Sequence, residues 1–136
     1  MSATSQAIQQ SQTVSRGALW TGRVLSSIPV LMMGMSAVMK FLHSPQVTTG
    51  MAKFGYPENK LLPLGILESS CVILYLIPQT SVLGAILVAA YLGGATATVF
   101  RVGDPTFWTP AVLGVMAWLG LWLREPRLRA LTPLRK

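Results

Sequence analysis

The sequence predicts an all-α protein, a four-helix transmembrane bundle with short loops. Of its 136 residues, 51% are hydrophobic and only 11% are charged, whereas about 25% of the residues in a typical soluble domain are charged. The apolar residues also fall into long runs, and a run of about 20 residues can cross the roughly 30 Å hydrocarbon layer of a bilayer. Four such runs predict one membrane domain, residues 18–124, between a leader and a tail.

Residues 1–17 form a polar segment rich in Ser, Gln and Thr, without apolar periodicity. We expect a disordered leader here. A secretory signal is disfavoured because the charged n-region is missing and the following apolar run is long. Cleavage after Ser36-Ala37 is the alternative, and it would leave three spans instead of four.

The first span, residues 18–42, carries one stripe of residues spaced by three and four positions. Such residues share one face of a helix. Small side chains on that face allow another helix to approach closely. The stripe consists of Gly22, Ser26, Pro29, Met33, Ser36 and Lys40.

The segment from His43 to Lys60 is a polar loop with a breaker at Ser44-Pro45 and a turn signal at Gly55-Tyr56-Pro57. Its Met and aromatic residues make parts of it amphipathic. We expect either a short interfacial helix or a segment folded over the mouth of the bundle.

The second span, residues 61–77, contains one acid, Glu68, about two turns from its start. Gly65, Val72 and Tyr75 lie along the same side of the helix, so we expect the acid to face protein and not lipid.

The third span, residues 82–100, contains no charged residue. Gly84, Val88, Tyr91, Ala95 and Thr98 form one stripe, and Gly93-Gly94-Ala95 thins the helix beside it. We expect this to be a close-packing surface.

The fourth span, residues 106–123, begins with aromatic residues at one interface and has Trp118 and Trp122 toward the other, as in an aromatic belt. Residues 125–136 form a basic tail. Four spans place both termini on one side. Seven Lys and Arg residues lie on that side and four on the other, which favours cytoplasmic termini.

This topology brings several polar residues into the non-cytoplasmic half of the bundle. Lys40 and Arg101 end the first and third spans, and Glu68 lies seven residues inside the second, or ~10 Å at the helical rise. Tyr91 lies deeper, at the floor of the same region. The sequence therefore predicts a ligand pocket formed by Glu68, Arg101, Lys40 and Tyr91, and no catalytic or metal-binding set.

Glu68 has two interpretations at this point. It can form a buried ion pair that holds three helices in register, since an opposite charge offsets what the bilayer penalises. It can also belong to a polar pocket that binds a headgroup, a quinone or a small polar substrate, or that carries a proton.

Several other classes of site are excluded or disfavoured. Cys71 and His43 are the only residues of their types, so one copy of the chain contains no disulfide, no CxxC pair and no Cys/His zinc site. We expect Cys71 to be a small buried hydrophobe. The net charge of +7 comes from basic residues beside apolar runs, which favours lipid and topology over nucleic acid.

Six segments, taken together and in order, resemble the DoxX-like family of small bacterial membrane proteins. The resemblance extends from about Gly34 to Pro133. The segments are Gly34 to Lys40, Gly55-Tyr56-Pro57, Leu64-Gly65-Ile66-Leu67-Glu68, Tyr91-Leu92-Gly93-Gly94-Ala95, Arg101-Val102-Gly103-Asp104 and Leu123-Arg124-Glu125-Pro126.

The resemblance implies a four-helix bundle in the bacterial inner membrane. The namesake subunit belongs to a thiosulfate:quinone oxidoreductase, whereas most relatives have no established activity. Glu68 matches the family's acid, and Lys40 and Arg101 match its outer basic positions. The single cysteine leaves no dithiol for a redox role of this chain.

We therefore expect an accessory membrane protein whose outer-half pocket binds a small lipid-like molecule or a partner helix. The alternative is a membrane subunit that supports quinone-linked chemistry, with quinone as the candidate cofactor. Proton-coupled transport is a third class, disfavoured because no inverted repeat is evident. The expected partners are the bilayer and either a membrane protein or a second copy of the chain. Nucleic acid is not expected.

Overall fold

Within residues 14–131, four long helices and two short ones follow one another. The computed structural model describes residues 2–3 and 14–131. The helices are α1 (Arg16–Phe41), α2 (Pro45–Lys53), α3 (Leu61–Leu76), α4 (Ser81–Arg101), α5 (Trp108–Arg124) and α6 (Pro126–Leu131). The four long helices, three of them extended by a short 3-10 turn, are long and apolar enough to cross a membrane, which confirms the predicted fold class.

The helix boundaries follow from local capping chemistry. The Ser15 hydroxyl accepts a hydrogen bond from the Ala18 amide at 3.2 Å, so α1 begins at Arg16, inside the predicted leader. Residues 4–13 of that leader lie outside the described residues. Beyond the end of α4, Gly103 has a φ of +72°, a conformation that favours glycine and commonly ends helices.

The long helices form a ring in the order α1, α3, α4, α5. α1 packs on α3 and α5, and α4 closes the ring by packing on the same two helices. Consecutive long helices run antiparallel. The last turns of α1 and α4 and the first turns of α3 and α5 therefore meet at one end of the bundle, here called the α2 end because α2 connects α1 to α3 there.

The stripe predicted on α1 is the face that this helix buries. Its members are buried, except that Ser36 is half-buried. The closest approach is to α5, where a Cβ added at Gly120 would lie 2.8 Å from the Ser26 backbone nitrogen and 2.9 Å from the Gly22 carbonyl oxygen. The two helix backbones can approach this closely because neither glycine carries a side chain.

The close-packing surface predicted on α4 is confirmed at Gly84, which belongs to the predicted stripe, and is wrong at Gly93 and Gly94. A Cβ added at Gly93 or Gly94 would meet no atom within 4 Å. The close contact of α4 with α3 lies earlier, at Gly84, where a Cβ would fall on the backbone of Leu74 and Tyr75. Gly93 lies about two and a half turns after Gly84, on the opposite face of α4, so it does not face α3.

The outer surface of the bundle is apolar around its circumference. Large hydrophobic side chains on all four long helices are at least 39% exposed, which is the surface expected of helices in contact with lipid. Examples are Trp20, Leu31, Ile66, Ile73, Ile86, Phe100, Trp108 and Val115. The protein is therefore an integral membrane protein.

The chain continues past α5 as a docked helix. Leu128 in α6 is 6% exposed and belongs to the core. The Arg129 guanidinium donates to the carbonyl oxygens of Trp122 and Leu123 at 3.0 and 2.6 Å, where α5 has no further amides to satisfy them. Trp122, which was predicted to belong to an aromatic belt, lies near the end of α5 and also packs against the core. Residues 132–136 of the predicted tail lie outside the described residues.

A buried hydroxyl links three helices at the core. The Tyr75 side chain on α3 is 2% exposed. Its hydroxyl donates to the Ala117 carbonyl of α5 at 2.6 Å and lies 2.8 Å from the Ser26 hydroxyl of α1. This hydrogen bonding fixes the rotation of α3 relative to its neighbours.

Replacing Tyr75 by phenylalanine is expected to lower the free energy of unfolding by about 1–2 kcal/mol, because the buried Ser26 hydroxyl loses its partner. Denaturant titration in detergent, followed by tryptophan fluorescence, measures the change. Tyr56→Phe removes the same atom from the loop outside the bundle and serves as the control. Equal shifts in the two variants would contradict this role for Tyr75.

Candidate functional site

A buried ion pair connects α1 and α3 near the α2 end. Glu68 and Lys40 are only 3% and 5% exposed, and the Lys40 Nζ lies 2.7 Å from the Glu68 Oε2. Lys40 lies in the last turn of α1, where a cation also complements the helix dipole. Each charge compensates the other, and an uncompensated charge at this depth would be costly.

One small residue on each of these two helices supports the ion pair. The Ser36 hydroxyl lies one turn before Lys40, accepts from its Nζ at 2.5 Å and donates to Glu68 Oε2 at 3.3 Å. Gly65 lies one turn before Glu68, and a Cβ added there would lie 3.2 Å from the Phe41 ring and 3.4 Å from the Lys40 Cβ. The absent side chain lets α3 approach α1 where the pair forms.

The pair lies in the wall of a cavity at the α2 end. The cavity has a volume of about 600 Å³ and receives residues from all four long helices and from the segment that follows α1. Most of its lining is apolar. The polar side chains among the lining residues are Ser36, Lys40, Tyr56, Glu68, Tyr91 and Thr98.

Tyr91 lines the cavity from α4. It lies one turn after the buried Val88 and close enough to Glu68 for their side chains to interact. Its hydroxyl places a third donor beside the carboxylate, after Lys40 and Ser36. The structure thus brings together three of the four residues predicted for the pocket, namely Glu68, Lys40 and Tyr91.

Arg101, the fourth predicted residue, is placed elsewhere. It is exposed, it is not among the lining residues, and its Nη2 donates to the Phe54 carbonyl oxygen at 2.6 Å. The structure therefore corrects the expectation that the Arg101 side chain reaches inward to Glu68. The Phe54 carbonyl lies nearer to the water-exposed end of α4, where a guanidinium keeps more of its hydration.

The mouth of the cavity is covered by the segment after α1. Met51, from the last turn of α2, and Phe54 and Tyr56, from the following loop, supply lining side chains. The amphipathic pattern of this segment predicted either a short helix or a segment folded over the mouth of the bundle. The structure contains a short helix, α2, and a following loop whose side chains line the cavity. Sequence reasoning did not include them among the pocket residues, although Tyr56 lies within one of the family-like segments.

A second ion pair fastens this cover. The Lys53 Nζ, at the end of α2, lies 2.6 Å from Asp104 Oδ2 in the loop between α4 and α5. Asp104 also accepts from the amide and hydroxyl of Thr106 at 2.9 and 2.7 Å. The hydrogen bond from Lys53, followed by those from Thr106, lowers the pKa of Asp104 below its ordinary value of 3.8.

The stability contributed by the ion pair between Lys53 and Asp104 is expected to decrease as the pH falls. Because the folded-state pKa of Asp104 is lower than the unfolded value, the contribution is present above about pH 4 and is lost as the pH falls through the folded-state pKa. Asp104→Asn should therefore increase amide hydrogen exchange in α2 at pH 7. The thermal stability of wild type and variant should converge as the pH falls below 4.

Glu58→Gln is the matched control, since it neutralises an exposed carboxylate in the same end of the bundle. We expect it to leave exchange in α2 unchanged at pH 7. Equal exchange in α2 for Asp104→Asn and wild type would show that the pair does not hold the cover.

Other candidate groups lie apart from the polar wall. Cys71 lies one turn beyond Glu68, is 2% exposed and packs in the core, as its apolar surroundings predicted. His43 is exposed in the loop before α2. Within the described residues, no three His, Cys, Asp or Glu side chains converge as a metal site would require.

Comparison with known proteins gives a family. A family model described as the DoxX-like family matches residues 24–120, a range from the third turn of α1 to the next-to-last turn of α5. No match was found among curated proteins or among solved structures. The matched range contains α3, α4, most of α1 and α5, and the Glu68 cavity, and it covers well over half of the chain. The protein therefore belongs to the DoxX-like family.

Proposed function

We propose that this membrane protein binds a small amphiphilic molecule in the α2-end cavity, with its polar head against Lys40 and Glu68 and its apolar part along the hydrophobic wall. The observation that carries the proposal is one polar wall in an otherwise apolar cavity of about 600 Å³. Small-molecule sites have volumes of about 300–1,000 Å³ and combine apolar walls with a few convergent polar groups.

The polar wall favours an uncharged head that both donates and accepts hydrogen bonds. The Lys40 ammonium has three N–H donors, and Glu68 and Ser36 accept two of them. The Glu68 contacts with Lys40 and Ser36 use Oε2, so Oε1 can accept from a donor on the ligand as well as from the nearby Tyr91 hydroxyl. A charged head would disturb a pair that is already neutral in sum, at a high cost in a low-dielectric site.

Native mass spectrometry of the detergent-extracted protein tests the proposal. Wild type is expected to retain a small molecule, and Lys40→Met/Glu68→Gln is expected to lose it, because the double variant removes the polar wall without leaving an unpaired charge. Lys60→Met, at an exposed lysine, is the control and should retain the molecule. Equal retention by the double variant would exclude the pair from ligand binding.

A second candidate is a membrane subunit that supports quinone-linked oxidoreductase chemistry. Two donors, the Lys40 ammonium and the Tyr91 hydroxyl, face a cavity with apolar walls, and this set suits the carbonyl oxygens of a quinone. A bound quinone would supply the redox chemistry, while this chain would bind and orient its ring. With a single cysteine, the chain contains no dithiol to reduce it, so electrons would come from a partner protein.

This second candidate makes a distinct prediction. The purified chain alone should bind a quinone without reducing it, and turnover should require an added partner. Turnover by the chain alone would contradict the accessory role.

For location, the proposal is the bacterial cytoplasmic membrane with both termini in the cytoplasm. Its support is the excess of Lys and Arg at the end of the bundle that carries the termini. Reporter fusions at each terminus and in the His43–Lys60 segment test this orientation. A periplasmic signal from either terminus would overturn it.

A further inference from the structure

Four residues line the cavity and are also exposed. One is Met32 on α1. The other three lie on the neighbouring helices α3 and α4, namely Leu67, which is 52% exposed, Ala90 and Gly94. A residue that meets both conditions lies in a thin or open part of the wall. We call the space bordered by these three residues the α3–α4 gap.

The gap follows from the small side chains of α4 beside the cavity. At Gly84 the backbone of α4 contacts that of α3 at Leu74 and Tyr75, whereas a Cβ at Gly94, nearer the α2 end, would meet no atom within 4 Å. The small side chains of Ala90 and Gly94 therefore leave the space beside Leu67 unfilled.

The gap faces hydrocarbon and not water. Leu67 is one turn before Cys71, in the middle of a membrane-spanning helix, and the neighbouring outward residues Ile66 and Ile86 are 53% and 52% exposed. The route from bulk water is covered by α2 and its loop, fastened through Lys53 and Asp104. A molecule dissolved in the bilayer therefore reaches the cavity without displacing that cover.

We propose that the ligand is a chain-bearing lipid with an uncharged, hydroxyl-containing head, and that it binds laterally from the bilayer with its chain in the α3–α4 gap. This inference rests on the proposed function and adds the ligand class and the access route. The head meets Lys40 and Glu68 inside the cavity, and the chain remains in the apolar surroundings it occupied before binding. Binding therefore needs no transfer of the chain through water.

Two neighbouring glycines provide a matched test. Gly94 lines the cavity, whereas Gly93 is not among the lining residues, and both are exposed with no atom within 4 Å of an added Cβ. Either position therefore accommodates a Cβ without a clash. We expect a leucine side chain to fill the gap at Gly94 and to point away from the cavity at Gly93.

The experiment uses 1-monolauroylglycerol as the probe, titrated onto the full-length protein and followed by native mass spectrometry in a polyoxyethylene detergent. Gly94→Leu is expected to weaken probe binding by about tenfold or more, and Gly93→Leu to leave it within about twofold of wild type. Glycerol, which has the same head without the chain, should not be retained. Circular dichroism confirms that both variants are folded.

The outcomes separate this inference from the proposed function. If Gly94→Leu binds like wild type while Lys40→Met/Glu68→Gln loses the probe, the cavity binds the head but lateral access through the gap is wrong. Met32 on α1 also lines the cavity and is half-exposed. If Met32→Trp weakens probe binding and Gly94→Leu does not, the opening lies on α1 and the α3–α4 route is wrong. If wild type does not retain the probe, the neutral-head ligand class is wrong.

Discussion

Lys40→Met is expected to destabilise the bundle by about 3–5 kcal/mol, because it leaves the Glu68 carboxylate buried without its cation. Only Ser36 would remain to donate to Oε2. Adding Glu68→Gln should recover most of the loss, since the double variant contains no buried charge at the site. Thermal unfolding in detergent and the yield of folded protein in membranes measure both effects.

The control for this pair is Lys60→Met, which changes an exposed lysine at the same end of the bundle. We expect no more than about 0.5 kcal/mol from it, as for most surface changes. A Lys40→Met protein as stable as wild type would mean that the two charges are not coupled.

The same variants distinguish the two interpretations of Glu68. A double variant that folds like wild type but has lost its retained molecule assigns the pair to ligand binding. A double variant that folds and still retains the molecule assigns the pair to helix register alone. Stability by itself cannot make this distinction, because an unpaired buried charge is destabilising under either interpretation.

Gly84→Ala is expected to have the next largest effect, a loss of about 1–3 kcal/mol from overpacking. A Cβ at this position would fall on the α3 backbone at Leu74 and Tyr75, and backbone atoms cannot move aside as the end of a flexible side chain can. The separation of α3 from α4 would also strain the Tyr75 hydrogen bond to Ala117. Thermal unfolding and tryptophan fluorescence measure the loss.

Gly93→Ala provides the comparison within the same helix. Its Cβ meets no atom within 4 Å, so the variant should be as stable as wild type or slightly more stable, given the higher helix propensity of alanine. A destabilised Gly93→Ala protein would show that a partner helix covers this face of α4. Equal stability of the two variants would contradict the close crossing at Gly84.

The pairing of Glu68 with Lys40 could be predicted because it depends on quantities that a sequence contains. Hydrophobic run length locates both residues in the same half of the bundle, and helical periodicity places them on the inward faces of α1 and α3. Arg101 is also at that end of the bundle, but its long side chain has several acceptors within reach. The Phe54 carbonyl became one of them only when α2 and its loop folded over the mouth.

The glycines illustrate the same limit. Gly84, Gly93 and Gly94 each permit a close approach by another helix, but Gly93 lies about two and a half turns after Gly84 and so on the opposite face of α4. Periodicity separates these faces, yet it does not say which of them meets a helix. The structure places α3 against Gly84 and leaves Gly93 and Gly94 with no atom within 4 Å of an added Cβ.

By itself, the sequence determined the all-α class, the four spans, the inward acid with two candidate cations, and the resemblance to the DoxX-like family, because each depends on composition, periodicity or local motif. Only the tertiary structure decided which glycine carries the α3–α4 crossing, which acceptor Arg101 takes and what covers the cavity. These depend on the relative position and rotation of whole helices, which result from packing between residues far apart in the chain.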